Sequence, residues 1–169
     1  VCFSDLSATL DALLGGKPAS IPRFDKSIDD RVPGSEWEQV TSPVQVVFLE
    51  GWCMGAMAQP VDELAEPVNA LEVREDSDGR WRNYVNNSLA EHFSQLYRRV
   101  DRWVMLQAPS FDCVYQWRLE QEQKLALTRS GNAIMSAAEI AHFIQFYQRL
   151  TEHCLVCLPA RVDHLYRLD

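Results

Sequence analysis

The chain has 169 residues, 47% of them apolar, which suits one domain with a packed core. Its formal net charge of −8 argues against sequence-independent nucleic-acid binding, which needs a basic face to displace counterions, but leaves room for a small anion in a local basic pocket. No apolar run reaches membrane-spanning length and no charged-then-apolar leader is visible, so the expectation is a soluble, cytoplasmic protein without nucleic-acid or membrane partners.

Along the chain, Phe3, Leu6, Leu10, Leu13 and Leu14 recur at helical spacing, and Gly15-Gly16 ends that helix. Residues 17–43 are rich in Pro, Asp and Arg and read as an ordered loop. Val44–Leu49 predicts the first strand, followed by an irregular stretch to the turn signal Asp78-Gly79. A helix over Tyr84–Val100 and a short strand over Trp103–Leu106 come next. Ser110 is a good N-cap for a helix reaching about Thr128, which Ser130-Gly131-Asn132 breaks. Ser136 and Glu139 form a capping-box pattern. The helix they open carries Ile140, Phe143, Ile144, Tyr147, Leu150, Cys154, Leu155 and Leu158 on one face and stops at Pro159. His164–Leu168 predicts a last strand. Strands separated by helices of this length imply crossovers and a mainly parallel sheet.

Five cysteines form no disulfide-scaffold spacing, and their number is odd, so reduced thiols are expected. Cys154 and Cys157 make a lone CxxC without the second ligand pair that zinc requires; they read as small side chains on one helical face. Gly15-Gly16-Lys17 superficially suggests a phosphate loop. A working loop needs GxxxxGK[ST] between a strand and a helix, whereas here a helix precedes the glycines and Pro18 removes an amide. It reads as a helix stop.

Three places carry candidate chemistry. In Ile21–Arg31 the cations Arg23, Lys26 and Arg31 alternate with Asp25, Asp29 and Asp30, which reads equally as a salt-bridged surface loop or as an anion-binding site. In the helix after Ser110, the stripe of Phe111, Val114 and Leu125 runs through Arg118 and Gln121. Glu120–Lys124 and Arg118–Glu122 are favourable i,i+4 pairs, while Arg118, Lys124 and Arg129 form an alternative cationic lid over a polyphosphate. Glu50 ends the predicted strand Val44–Leu49, where parallel α/β sheets place their ligands; the plain alternative is a core carboxylate paired with an arginine.

Taken in order, PRFDKSIDDR, VVFLEGW, EPVNALE, WRNYVNNSL, APSFDCVYQWRLEQEQKL, MSAAEI and FYQRLTEH resemble the P-loop-type D-glycerate 3-kinases, relatives of uridine kinase, phosphoribulokinase and pantothenate kinase. The resemblance runs from about Leu6 to Asp169. It implies an α/β, P-loop NTPase-like fold: a mainly parallel three-layer sheet with flanking helices, in one kinase-like domain over residues 1–169. It also implies phosphorylation of D-glycerate, or a similar small anion, with ATP and Mg²⁺. By motif, Glu50 matches the acidic strand end near Mg²⁺ or the acceptor hydroxyl, and Asp25, Lys26 and Arg31 match the acceptor loop. Arg118, Gln121, Lys124 and Arg129 match the lid, with Arg118 also catalytic. Trp81, Tyr84 and Asn86 match a signature on the acceptor side.

The family's opening strand, its GxxxxGK[ST] loop and the acidic segment after it do not occur in this sequence. The expectation is therefore a C-terminal portion of such a kinase, inactive without the phosphate cradle. A related kinase with a nucleoside, sugar phosphate or pantothenate acceptor, and a non-catalytic interaction module, are the alternatives.

Overall fold

The structure, a computed structural model, describes residues 3–25, 30–128 and 135–169. It divides into two compact units, residues 1–51 and 52–169.

In the first unit, helix α1 (Phe3–Leu14) buries Leu10 and Leu13. It stops as expected: Gly16, at φ 65°, donates to Leu13 O and Lys17 donates to Ala12 O, the paired bonds of a glycine-terminated helix. The next segment holds more strand than the sequence suggests. Strands β1 (Ala19–Ile21) and β4 (Glu38–Val40) pair antiparallel, with Ser20 Oγ donating to Gln39 Oε1 at 2.8 Å, and β2 (Phe24–Asp25) pairs with β3 (Asp30–Arg31). The Trp37 indole N–H donates to Val32 O and pins the loop between β3 and β4.

Val44–Leu49 is not a strand. It runs as irregular backbone with Phe48 92% and Val46 66% exposed. An inner strand of a parallel sheet needs a hydrogen-bonded neighbour and cover on its faces, and this segment pairs with no strand among the described residues.

In the second unit, α2 (Ala70–Glu75) is capped by Asn69, whose side chain accepts from Glu72 N at 3.0 Å. Helix α3 (Arg80–Ser88) starts four residues before the expected Tyr84, because the Asp76 carboxylate accepts from the amides of Trp81 and Arg82. It continues through a π-helical turn (Leu89–Phe93) into α4 (Ser94–Tyr97). Strand β5 (Val104–Gln107) pairs in parallel with β6 (His164–Arg167), in the register Val104↔His164. The crossover between them holds α5 (Asp112–Thr128), α6 (Ala137–Phe143) and α7 (Gln145–Cys157). Ser136 and Glu139 form the expected capping box, and the single helix expected beyond them is divided at Ile144.

The described residues thus give a mixed α/β fold with one parallel and two antiparallel strand pairs, rather than a mainly parallel sheet. Two apolar clusters fill the second unit. Ala56, Leu89, Cys154 and Leu158 form one, and Val114, Ile140 and Ile144 the other.

Two buried arginines tie its loops to its helices. Arg149 on α7 donates Nε and Nη2 to the two oxygens of Glu72 at 2.8 and 2.7 Å, and also reaches the carbonyls of Glu63 and Glu66. Arg82 donates Nη1 to Asp76 Oδ2 and to the Asp76 carbonyl, and Nε and Nη2 to the carbonyls of Leu64 and Ala65. Burial opposes ionisation of Glu72. The Arg149 guanidinium, with the Val68 amide, more than offsets it and holds the carboxyl below its usual range. Asp76 is depressed likewise: burial again opposes, and the Trp81 and Arg82 amides with the Arg82 guanidinium prevail.

A carboxyl whose folded pKa lies below its unfolded value contributes stability above the unfolded value, roughly 4, and loses it as pH falls through the folded one. The melting temperature of the chain is therefore expected to fall as pH drops below about 4.5. Glu72→Gln should flatten part of that acid limb while melting lower at pH 7. Arg149→Met, leaving a buried carboxylate unpaired, should cost about 3–5 kcal/mol in urea unfolding. An acid limb unchanged in Glu72→Gln would remove Glu72 from this role.

Candidate functional site

Within the second unit, α5 and the α6–α7 pair face Trp52 across an aromatic cleft of about 500 Å³. Trp52, Trp117, Phe143 and Tyr147 supply its walls, and Arg118 and Gln121 its polar groups. That volume falls in the range of small-molecule sites, and few polar groups on apolar walls is their usual composition. Trp52 is held in place because its indole N–H donates to Thr151 Oγ1 at 3.1 Å, and that hydroxyl donates to Tyr147 O at 2.8 Å.

Arg118 is the cleft's cation. Its guanidinium pairs with Glu122, donates Nη1 to Gln121 Oε1 at 3.1 Å, and lies 5.5 Å from the centroid of the Phe143 ring. Glu122 is buried, so the pair is a fixed device rather than a solvated surface contact. The buried Arg118 Nε has no hydrogen-bond partner among the described residues.

The remaining expected site residues are distributed. Lys124 pairs with Glu120 at 2.6 Å on the exposed side of α5, so both i,i+4 pairs offered by the sequence form. Asn86 is buried: its amide accepts from Gln59 N at 2.7 Å and donates to Gln59 O at 3.0 Å, which fixes the loop before Pro60. Tyr84 is exposed and stacks on Trp81, with ring centroids 5.3 Å apart.

In the first unit, Arg31 pairs with Asp5 at 2.7 Å, Asp25 lies in β2 opposite Asp30, and Glu50 is exposed in irregular backbone. Lys26, Asp29 and Arg129, together with the expected break at Ser130-Gly131-Asn132, lie outside the described residues.

Among the described residues, no group of three or more His, Cys, Asp or Glu side chains could hold a metal by itself. A single carboxylate such as Glu50 nevertheless suits Mg²⁺, which keeps several waters and takes one or two carboxylates together with substrate phosphates.

The aromatic walls are what sequence reading missed. Phe143 and Tyr147 read as core positions of a helical stripe, and in the structure Tyr147 is 39% exposed. The available signal was an aromatic pair at i,i+4 on a stripe that already had smaller apolar residues to bury.

The fold is that of a P-loop kinase. The chain superposes on the D-glycerate 3-kinase from Cryptococcus neoformans var. grubii with a TM-score of 0.64 and 26% identity, covering 89% of this chain and 52% of that one. In sequence it is a relative of the D-glycerate 3-kinases. It is 30% identical over 136 residues to the chloroplastic D-glycerate 3-kinase of Arabidopsis thaliana, which covers 78% of this chain and 27% of that protein. It is 31% identical over 156 residues to the Schizosaccharomyces pombe kinase mug58, covering 84% and 52%. The chain thus spans about half the length, or less, of the relatives it matches. No protein-family model matches it.

The loop carrying Trp52 turns at Gly55, whose φ is 92° and whose Cβ, if present, would lie 3.1 Å from the Trp103 ring. Gly55→Ala is expected to lose about 1–3 kcal/mol in urea unfolding, from the left-handed backbone and this contact together. A loss under about 0.5 kcal/mol, the ordinary surface range, would contradict the assignment.

Proposed function

We propose that this chain is part of an ATP-dependent kinase that converts D-glycerate to 3-phosphoglycerate and ADP. The observation that supports it is the similarity to D-glycerate 3-kinases, which extends over 78% of the chain in the Arabidopsis protein and 89% in the Cryptococcus structure. A single kinase-like domain with a three-layer sheet, and a reducing, cytoplasm-like compartment, belong to the same reading.

Bound ATP with Mg²⁺ would supply the transferable phosphoryl group, and the protein's work is positioning and charge neutralisation. Arg118 offers a guanidinium already oriented by Glu122 and Gln121, which suits charge developing on an equatorial phosphoryl oxygen. Lys124 and Arg129 belong to the same cationic lid by their match to the family's lid motif. Glu50 takes the Mg²⁺ side or orients the acceptor hydroxyl.

Lys26 and Arg31 hold the carboxylate of glycerate, and Asp25 accepts from one of its hydroxyls. Tyr84 lines the acceptor side, while Asn86 acts through the Gln59 backbone it anchors. The phosphate cradle comes from polypeptide equivalent to the part of the relatives that this chain does not match.

The test is ADP release by the chain alone and by the chain joined to the unmatched part of the Cryptococcus enzyme, with D-glycerate, uridine, a sugar phosphate and pantothenate as acceptors. Turnover is expected only in the joined protein and to favour D-glycerate. Arg118→Ala should lower kcat about 10²–10³-fold. No turnover with any acceptor, or preference for another one, would overturn the reading.

A further inference from the structure

The aromatic walls of the cleft exceed what a small aliphatic acid needs. Trp52 and Trp117 are 53% and 37% exposed, and neither ring stacks on another among the described residues. The Trp52 indole is nevertheless fixed in place by its bond to Thr151. Tyr147, whose ring lies 5.3 Å from that of Phe143, adds a third uncovered aromatic side chain. Concave surfaces with such walls are the usual setting of a small-molecule site. D-glycerate carries an oxygen on every carbon and would leave these rings in water.

The polar end of the cleft offers donors. Arg118 gives one Nη1 hydrogen to Gln121 Oε1 and one Nη2 hydrogen to Glu122, so others of its five N–H groups remain. The same contacts occupy the acceptor oxygen of Gln121 and the buried carboxylate of Glu122. The amide nitrogen of Gln121, an exposed residue, bonds to nothing among the described residues. A ligand at this end therefore has to bring acceptors, and beside a guanidinium an anionic oxygen makes the strongest bond.

We propose that the cleft binds an aromatic acid, a planar ring with a carboxylate attached directly or through one or two bonds. The short linkage follows from the spacing of the walls and the cation. Trp117 and Arg118 are neighbours on α5, Gln121 lies one turn further on, and the guanidinium is 5.5 Å from the Phe143 ring centroid. A ring against these walls meets Arg118 through an anionic group only when the two are close together. The base of ATP fails that condition, because a ribose and two phosphates separate it from the phosphoryl group that Arg118 serves in the kinase reading. An aromatic acid would take the guanidinium in place of that phosphoryl group and so act as an inhibitor. That consequence rests on the kinase reading; the binding does not.

The experiment titrates the chain with naphthoate and follows the indole N–H signals by NMR, those of Trp52 and Trp117 being assigned from Trp52→Phe and Trp117→Phe. Both signals are expected to shift in one saturable step, while that of the exposed Trp81, outside the cleft, stays in place. Naphthalenemethanol keeps the ring without the charge, and D-glycerate and inorganic phosphate keep the charge without the ring. Each is expected to bind at least about tenfold more weakly, the value of one charge-assisted hydrogen bond or one buried ring. AMP, with a ribose between base and phosphate, should also bind more weakly than naphthoate. These arms use the wild-type chain, because Arg118→Gln would leave the buried Glu122 unpaired and lower stability. Gln121→Glu, at an exposed position, sets a second carboxylate beside the ligand's own and should weaken naphthoate about tenfold. No turnover is involved, so the result stands whichever acceptor the kinase uses. Unmoved Trp52 and Trp117 signals, or an equal shift at Trp81, would overturn the proposal. So would an affinity for naphthalenemethanol, D-glycerate, phosphate or AMP that matches naphthoate, or an unchanged affinity in Gln121→Glu.

Discussion

The second unit depends on the ion pair between Arg149 and Glu72. One guanidinium closes a bidentate contact with a carboxylate on α2 and also satisfies the carbonyls of Glu63 and Glu66, which no ladder or helix would otherwise use. The segment from Gln59 to Asn69 is nearly devoid of regular structure, apart from a 3-10 turn at Val61–Leu64. Its backbone is satisfied from outside, by Arg149, Arg82 and Asn86. A hydrophobic pair of equal volume could fill the space and give as much stability. It could not also hold the carbonyls of Glu63 and Glu66 and the amide of Val68, so the pair's contribution is a single conformation for a long irregular stretch.

Fixing that stretch also fixes α7, which lines the cleft with Tyr147 and supports its Trp52 wall through Thr151. Within three turns it presents Tyr147 to the cleft, Arg149 to the loop, Thr151 to the Trp52 indole and Cys154 to the core. The Asn69 amide and Gln145 side chain secure its first turn against α2. The cleft wall at Trp52 is therefore positioned from both ends of one helix, which is how a site built on loops acquires definite geometry.

Wherever local chemistry decides, the sequence is legible. The Gly15-Gly16 stop, the Ser136–Glu139 box and the β5 and β6 strands follow from spacing and capping residues alone, and the structure has them. The failures are those where a distant partner decides. Val44–Leu49 has the composition of a buried strand, but a strand exists only through a neighbour, and its composition cannot supply one. The π turn at Leu89–Phe93 and the division at Ile144 likewise carry no local signature. Residues of the EPVNALE and WRNYVNNSL stretches resemble a functional signature, and Glu72, Asn69, Arg82 and Asn86 turn out to hold backbone in place. A signature can persist because it builds the frame rather than because it touches a ligand.

Arg118 shows how the two kinds of requirement meet in one residue. On an otherwise apolar stripe a leucine would pack as well, so its charge has to serve something else. Glu122 could cancel that charge, but a buried carboxylate bound on one side of a guanidinium also sets the plane and direction of the rest. Gln121 and the Phe143 ring restrict it further, and all three partners lie on elements that meet at the cleft. The guanidinium is then held in one orientation, so binding costs little further side-chain entropy. Glu122 thereby aims the arginine, and an aimed cation in an aromatic cleft is suited to a small anion that carries too little surface to pay for ordering a mobile one.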